Sequence, residues 1–237
     1  MLFRRVVQHV KAQNWTAVGI DFVIVIVGVF LGIQVSNWND ARVERQSTAQ
    51  LMERVEDEFT LLETNLSRIV DQLDAVTSGT GCLIDEIRGE TPIQMRQDLS
   101  QCIWSASALL VLPDVPAVVT EMVSSGTLTQ IENDRLRESI ISYRDNHLRY
   151  QRYSPQALAS MYPPNSRFFD AVNWNTDTDT WSYATASDAV ISFNLELLRQ
   201  AEGELQIKQL VQYDVADFGK AQLAHVREIL ILVEDNN

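Results

Sequence analysis

The strongest constraint on this chain is an uncharged, apolar stretch near its start. Residues 22–39, FVIVIVGVFLGIQVSNWN, form eighteen consecutive positions without a charged side chain, most of them Val, Ile, Leu, Phe or Gly. A helix rises about 1.5 Å per residue, so residues 18–35 would cover roughly 27 Å, close to the hydrocarbon thickness of a bilayer. We therefore predict a transmembrane helix over residues 17–38.

Tryptophans flank this stretch. Trp15 and Trp38 would lie about 35 Å apart along a helix axis, which places both at headgroup depth. An indole suits that depth because its faces are apolar and its N–H can reach water. We predict that the two residues are membrane-interface anchors, and the charged residues that begin at Asp40 mark the membrane surface.

A cleaved signal peptide and a buried core helix are the alternatives to a permanent anchor. The apolar run is longer than a signal-peptide core, and SNWND follows it instead of a small-residue cleavage pattern. Core helices rarely extend so far without a charge in a chain whose remainder is so polar. Both observations favour the anchor.

We predict that residues 1–16 form a short cytoplasmic amphipathic segment. Lys and Arg residues nearly balance across the apolar stretch, so the short, free amino terminus decides the orientation and places it inside. Opposite Arg4, Gln8 and Lys11, apolar residues recur at helical spacing, as in a helix that lies on anionic headgroups: Phe3, Val6, Val7 and Val10. Residues 39–237 would then lie outside the cytosol.

The part of the chain beyond the apolar stretch is strongly acidic. Three of the 19 Lys and Arg residues and one of the 32 Asp and Glu residues precede Asp40, so the remainder has a formal net charge of −15. Such a surface repels nucleic acid and anionic lipid, so we expect no nucleic-acid partner. Its nearly two hundred residues suffice for a full hydrophobic core.

The chain has two cysteines, Cys82 and Cys102, and both lie in the acidic part. A disulfide between them would close a loop of about twenty residues, contribute roughly 3 kcal/mol and require an oxidising compartment such as a periplasm. Two separate buried thiols are the alternative. The spacing fits neither a metal site nor a C-x-x-C redox motif.

Helical patterns dominate residues 39–237, so we predict an all-α fold. Apolar residues alternate at spacings of three and four, and the pattern ends at Ser78-Gly79: Leu51, Val55, Phe59, Leu62, Leu66, Ile69, Leu73 and Val76. This predicts a long amphipathic helix that continues from the membrane span into an extracytoplasmic helical bundle. Its apolar face would pack either within the chain or, as a parallel coiled coil, against another subunit.

Capping residues and prolines divide the rest of the acidic part, in which no strand is predicted. One helix is expected to pass through Cys102 to about Leu110. Residues 154–187 are expected to be irregular because of three prolines and the run NWNTDTDTW. The other predicted helices are residues 115–124 closed by Gly126, a helix from Asn133 or Asp134 to Tyr153, and residues 188–233 with a possible interruption at Gly203 or Gly219.

One face of the membrane span combines small residues with a carboxyl group. A Gly-x-x-x-Gly pair follows Asp21 at helical spacing, which predicts a helix–helix interface: Asp21, Val25, Gly28, Gly32 and Val35. The alternative for Asp21 is that its carboxylate reaches the inner headgroups.

No catalytic, cofactor or metal-binding motif is found. The run Asn173, Asn175, Asp177 and Asp179 lacks the Gly and Glu that an EF-hand loop requires at its sixth and twelfth positions. The three histidines are dispersed. Six aromatic residues could line a ligand pocket, although such residues more often fill cores: Trp104, Phe168, Phe169, Trp174, Trp181 and Tyr183.

Two segments, GIDFVIVIVGVFLGIQVSNWNDAR and VSSGTLTQIENDRLR, resemble a widespread bacterial membrane-anchored family of uncharacterised function. The first segment matches that family at Gly19, Asp21, Asn37, Trp38, Asn39 and Asp40. The second matches at Ser124, Ser125, Gly126, Ile131, Asn133, Leu136 and Arg137. The resemblance covers about a quarter of the chain and implies architecture only, with no catalytic residues.

We therefore expect a single-pass protein of a bacterial inner membrane with its C-terminal domain in the periplasm. Its predicted function is that of a non-catalytic helical module that self-associates or binds an envelope partner. The alternative is an extracytoplasmic ligand-binding or sensing module, suited by its acidity to cationic ligands, that works through a separate signalling partner. An enzyme is the third possibility, because catalytic groups assembled only by the fold leave no motif in the sequence.

Overall fold

The computed structural model describes residues 15–89, 99–175 and 186–235. The chain divides into two compact units, Met1–Leu51 and Met52–Asn237. The elements in chain order are α1 (Trp15–Arg88), α2 (Leu99–Ser107), α3 (Ala117–Ser125), a 3-10 turn (Thr127–Gln130), α4 (Asp134–Met161), α5 (Arg167–Asp170), β1 (Val172–Trp174), α6 (Ala186–Ala189), β2 (Val190–Phe193), α7 (Leu195–Gln200) and α8 (Glu202–Glu234). Helices dominate, which confirms the all-α fold class.

The first unit contributes the apolar part of α1. Among the described residues, this is one helix long and apolar enough to cross a membrane, and its most apolar 18-residue window has a mean hydropathy of 1.7. None of that window is buried inside the protein. A core helix would bury such residues, so the apolar stretch is not a core helix of this chain. The predicted segment 1–16 lies almost wholly outside the described residues.

Three long helical segments form the bundle of the second unit: α1 from Met52 onward, α4 and α8. Tyr153 of α4 donates a hydrogen bond to Asp214 of α8 at 2.8 Å, and Phe59 of α1 meets the ring of Tyr143 edge-on. Helix α8 is antiparallel to both neighbours. Three ion pairs join it to α1, with residue numbers that rise along α1 as they fall along α8: Glu63 with Arg227, Asp74 with Lys220, and Arg88 with Glu202.

From Val55, the buried face of α1 agrees with the predicted pattern as far as Leu66 and then differs from it. Between Leu66 and Thr80, the buried positions are Val70, Leu73, Thr77 and Thr80, whereas Ile69 and Val76 are only half-buried. The predicted end at Ser78-Gly79 is wrong, because α1 continues to Arg88 and Gly89 follows with φ of +76°. Since this face is buried within one chain, its packing is that of an intrachain bundle.

Gly79 lies inside α1 because α2 passes close to it. A Cβ atom at this position would stand 2.2 Å from the Ser105 Oγ and 2.5 Å from the Ser105 Cβ. Gly219 of α8 likewise does not interrupt its helix. A Cβ atom there would come within 3.1 Å of Val70 and 3.2 Å of Leu112. The two glycines therefore serve close helix packing, and the break considered at Gly219 does not occur.

The segment between α3 and α4 contains the cap that ends α3 and the cap that begins α4. Gly126 ends α3 with φ of +77°, a left-handed conformation that glycine adopts without strain. The side chain of Asn133 accepts hydrogen bonds from the backbone N–H groups of Arg135 and Leu136 and so caps α4. Arg137 donates to the Ile131 carbonyl oxygen at 2.8 Å. Several residues that carry the family resemblance therefore have structural roles here.

Several predicted boundaries beyond Cys102 are corrected. Helix α2 ends at Ser107, before Leu110. Helix α4 continues through Pro155 to Met161 because Ala157 and Met161 are buried against Val211 of α8. The segment predicted to be irregular contains strand β1, in which Val172 lies opposite Phe193 of the antiparallel strand β2. The helix predicted from residue 188 is wrong at its start, because β2 occupies Val190–Phe193. Strands of three and four residues are too short to produce a readable alternation. Residues 176–185 of that segment lie outside the described part.

A disulfide joins Cys82 of α1 to Cys102 of α2, with Cα atoms 5.9 Å apart. It lies in a cluster of buried side chains that includes Leu83, Ile103 and Phe168. The bond thus ties α2 to the end of α1.

A candidate ligand pocket beside a buried lysine

The predicted residues of the membrane stretch are exposed where the structure describes their side chains. Val25 and Val35 are more than half exposed, and no atom lies within 4 Å of a Cβ built on Gly28 or Gly32. Trp38 is 62% exposed. The side chains of Trp15 and Asp21 lie outside the description. This face of the helix is therefore open.

An apolar pocket of about 470 Å³ lies at the end of the bundle that carries the disulfide. Four segments supply its walls: the end of α2, the loop after it, the C-cap of α4, and the α5–β1 region. None of the lining residues carries a charge: Trp104, Ser107, Ala108, Leu109, Tyr162, Phe169 and Trp174. Its volume and apolar, aromatic lining are typical of small-molecule sites.

Aromatic rings form a continuous wall of this pocket. Tyr162 and Phe169 stack with ring centroids 5.9 Å apart and ring planes only 24° from parallel. Phe169 also contacts Trp174, with centroids 5.9 Å apart. The Tyr162 hydroxyl donates a hydrogen bond to the Ser107 carbonyl oxygen at 3.1 Å, which ties the rim of one wall to the other.

Lys208 of α8 lies directly behind these rings and is fully buried. Its Nζ stands 4.6 Å from the ring centroid of Phe169, 5.1 Å from that of Phe168 and 5.6 Å from that of Tyr162. It donates a hydrogen bond to the Met161 carbonyl oxygen and lies 3.8 Å from a carboxylate oxygen of Glu204. Burial lowers the pKa of Lys208 to about 8, although the Glu204 carboxylate opposes the shift.

Glu204 connects this lysine to the next segment of the wall. Its carboxylate accepts hydrogen bonds from the Ser166 hydroxyl and from the backbone N–H of Phe168. Ser166 in turn caps α5 by accepting from the backbone N–H of Phe169. Lys208 and Glu204 therefore hold both ends of the segment from Met161 to Phe168.

A second cluster of polar side chains is buried between the helices of the bundle. It comprises Tyr143, Asn146 and His147 of α4 and Gln222 of α8. Within the described part of the chain, the Tyr143 hydroxyl, both ring nitrogens of His147 and both amide atoms of Gln222 make no hydrogen bond. Burial lowers the pKa of His147, and the charge of Asp114 and the nearby Gln222 amide oppose this. The imidazole is therefore neutral near pH 7.

Sequence patterns identified only part of the pocket. Trp104, Phe169 and Trp174 line it and Phe168 is buried behind it, whereas Trp181 and Tyr183 lie outside the described residues. The sequence patterns did not identify Lys208 or Glu204 as part of the site. Their i, i+4 spacing on α8 resembles an ordinary surface ion pair, and only the packing of the 161–170 segment over them buries the lysine. Within residues 15–89, 99–175 and 186–235, no group of three His, Cys, Asp or Glu side chains could hold a metal ion.

Comparison with known proteins gives no assignment. No protein family, no curated protein and no solved structure matches this chain. The family resemblance of the sequence motifs therefore stays a prediction.

Proposed function

We propose that this chain is a single-span membrane protein whose acidic helical domain lies outside the cytosol and works as a non-catalytic binding module. The observation that carries the proposal is the apolar stretch of α1, which is entirely unburied. In water, so large an apolar surface would drive association or insertion. The hydrocarbon core of a bilayer would cover this surface. The helix can enter the lipid because it satisfies its own backbone hydrogen bonds.

The position of the domain outside the cytosol is supported by the disulfide. The Cys82–Cys102 bond is of a kind that persists in oxidising compartments such as a bacterial periplasm. The resemblance to a bacterial membrane-anchored family supports an inner-membrane location.

Membrane extraction tests the anchor. Membranes carrying the full chain are washed with alkaline carbonate, and the intact mass of the protein in each fraction is determined. We expect the uncleaved chain in the membrane pellet and its release only by detergent. Uncleaved protein in the aqueous wash, or a product that has lost the apolar stretch, would overturn the proposal.

Self-association through the open face of the span is a second candidate function. The face comprises Asp21, Val25, Gly28, Gly32 and Val35. The space around Gly28 and Gly32 allows another helix to approach closely. A second copy of the same helix offers the same face, so a symmetric pair would form.

The Gly28→Leu, Gly32→Leu double variant tests this interface by crosslinking in membranes. Leucine side chains would separate the helices, so crosslinked oligomers should decrease several-fold. Ile26→Leu with Phe30→Leu, on the opposite face, is the matched control and should leave the oligomers unchanged. Equal crosslinking in all three proteins would exclude this face as the interface between copies.

A further inference from the structure

We propose that the aromatic pocket at the disulfide end of the bundle binds an uncharged, planar, largely apolar small molecule, and that Lys208 and Glu204 position its ring wall. This extends the proposed function by naming a ligand class for the binding module. The pocket has the same lining whichever side of the membrane the domain occupies. Its size, charge, ring geometry and buried ion pair all favour this class of ligand.

Size and lining indicate a small-molecule site. A pocket of about 470 Å³ falls within the usual range of roughly 300–1,000 Å³ for ligand sites. It is also built from four separate chain segments, so the fold has to bring its walls together. The pocket combines this volume with an almost wholly apolar wall.

The charges around the pocket disfavour charged ligands. A charged ligand in this pocket would lose hydration without gaining an oppositely charged partner, because no lining side chain is a carboxylate, an ammonium or a guanidinium group. A cation would also stand on the far side of the Tyr162 and Phe169 rings, which already face the Lys208 ammonium group. An anion would meet a lysine already engaged by Glu204 and Met161. The acidity of the domain therefore does not select a cation here.

Ring geometry favours a flat ligand. Tyr162 and Phe169 present nearly parallel faces, and the indoles of Trp104 and Trp174 continue the wall. Aromatic rings gain from offset stacking and edge contacts with other rings in addition to the apolar area they bury. A saturated molecule of the same carbon skeleton would bury similar area but lose the stacking.

The buried ion pair supports a functional role for this wall. Removing an ammonium group from water is costly, and apolar replacements of buried ion pairs are often neutral or stabilising. Stability alone therefore does not explain a fully buried Lys208. Its contacts, and those of Glu204, hold the segment that carries Tyr162 and Phe169. Support of this kind keeps the walls of a binding site fixed before the ligand arrives.

Equilibrium dialysis with matched naphthalene probes tests the ligand class. The full chain in lipid nanodiscs is dialysed against 2-naphthol, 2-naphthoate, (2-naphthylmethyl)trimethylammonium and decahydro-2-naphthol. We expect saturable binding of 2-naphthol, at least tenfold weaker binding of both charged probes, and at least threefold weaker binding of the saturated alcohol. Absence of saturable 2-naphthol binding, or tighter binding of either ion, would overturn the proposal.

Pocket variants separate site binding from partition into lipid. Ala108→Trp fills the pocket and should abolish saturable binding, whereas Leu210→Trp on the exposed face of α8 should retain it. Tyr162→Ala removes one ring at the rim and should weaken binding about fivefold, with exposed Tyr213→Ala as its control. Circular dichroism verifies folding of each variant. Equal 2-naphthol binding by Tyr162→Ala and Tyr213→Ala would contradict the assignment of the site.

The Lys208→Met variant tests the positioning role. Methionine replaces the buried ammonium by an apolar chain of similar length but leaves the Glu204 carboxylate and the Met161 carbonyl oxygen without their ammonium partner, so the thermal midpoint should fall. The affinity for 2-naphthol should also decrease at least fivefold. Lys220→Met, which removes an exposed lysine from the same helix, should change neither quantity. A lower midpoint with unchanged affinity would show that Lys208 only stabilises the fold. Because nanodiscs hold the protein in either topology, these results do not depend on the membrane-side assignment.

Discussion

The Thr80 hydroxyl donates a hydrogen bond to the Gln212 side-chain oxygen at 2.7 Å in the interior between α1 and α8. The amide nitrogen of the same glutamine donates to the carbonyl oxygens of Ser105 and Ala108 at 3.0 and 2.9 Å. The last carbonyl groups of a helix have no partner within that helix. One buried side chain therefore satisfies the end of α2 and fixes its position against the two long helices.

Replacement of Gln212 by leucine should destabilise the domain by about 1–3 kcal/mol, because it removes the interior hydrogen bonds to Thr80 and Ser105 and takes away the donor to the Ala108 carbonyl oxygen. Chemical unfolding of the detergent-solubilised chain, followed by circular dichroism, measures the change. Gln206→Leu on the exposed face of α8 is the control and should stay within about 0.5 kcal/mol of the parent. If the two variants lose the same stability, the buried network is not important for the fold.

Gly79→Ala should destabilise the domain by about 1–3 kcal/mol, since the added methyl group collides with Ser105 across the contact between α1 and α2. The same chemical unfolding measurement detects this loss of stability. Gly203→Ala serves as the control, because no atom lies within 4 Å of its new Cβ and alanine is the better helix former. A stable Gly79→Ala protein would mean that the two helices do not approach as closely as described.

Replacing both Cys82 and Cys102 by serine should lower the free energy of unfolding by roughly 3 kcal/mol, the value expected for a loop of about twenty residues. Reduction of the parent should have an effect of similar size and slow its migration on gels. Reduction should leave the double variant unchanged. Two thiols that react freely with an alkylating agent in protein from native membranes would contradict the disulfide.

Acidification should weaken the domain through His147. Because burial lowers its pKa in the folded state, the unfolded chain binds the proton first as the pH falls below about 6.5. The contribution of His147 to stability is therefore complete above that pH and decreases below it. His147→Leu should show a smaller loss of unfolding free energy between pH 7.5 and 5 than the parent, with His225→Gln as the control. Identical pH dependence in the parent and His147→Leu would contradict a buried neutral imidazole.

The sequence predicted the helical class well because that class depends on local periodicity, and it predicted the apolar stretch well because that stretch is an unbroken run of uncharged residues. It did not predict the features that depend on packing between residues far apart in the chain. The pattern of apolar residues ended near Val76 because the core of α1 continues with two threonines. The Thr77 hydroxyl donates to the Leu73 carbonyl oxygen one turn earlier, and the Thr80 hydroxyl donates to Gln212. Pro155 lies inside α4 because α8 buries the turns that follow it.

The sequence indicated only part of the candidate site, for a related reason. Aromatic residues at Trp104, Phe169 and Trp174 suggested a pocket, but aromatic residues also fill cores, and their positions in the chain do not distinguish these two roles. The burial of Lys208 depends on a segment about forty residues away in the chain. No local pattern around Lys208 indicates that burial.

The central claim is that the apolar stretch remains in lipid while the acidic helical domain lies outside the cytosol. Protease treatment of intact spheroplasts, with detection of an epitope at the C-terminus, measures this most directly. The account predicts loss of the epitope while a cytosolic marker protein stays intact. An epitope that survives in spheroplasts and disappears only after the membrane is broken would contradict it.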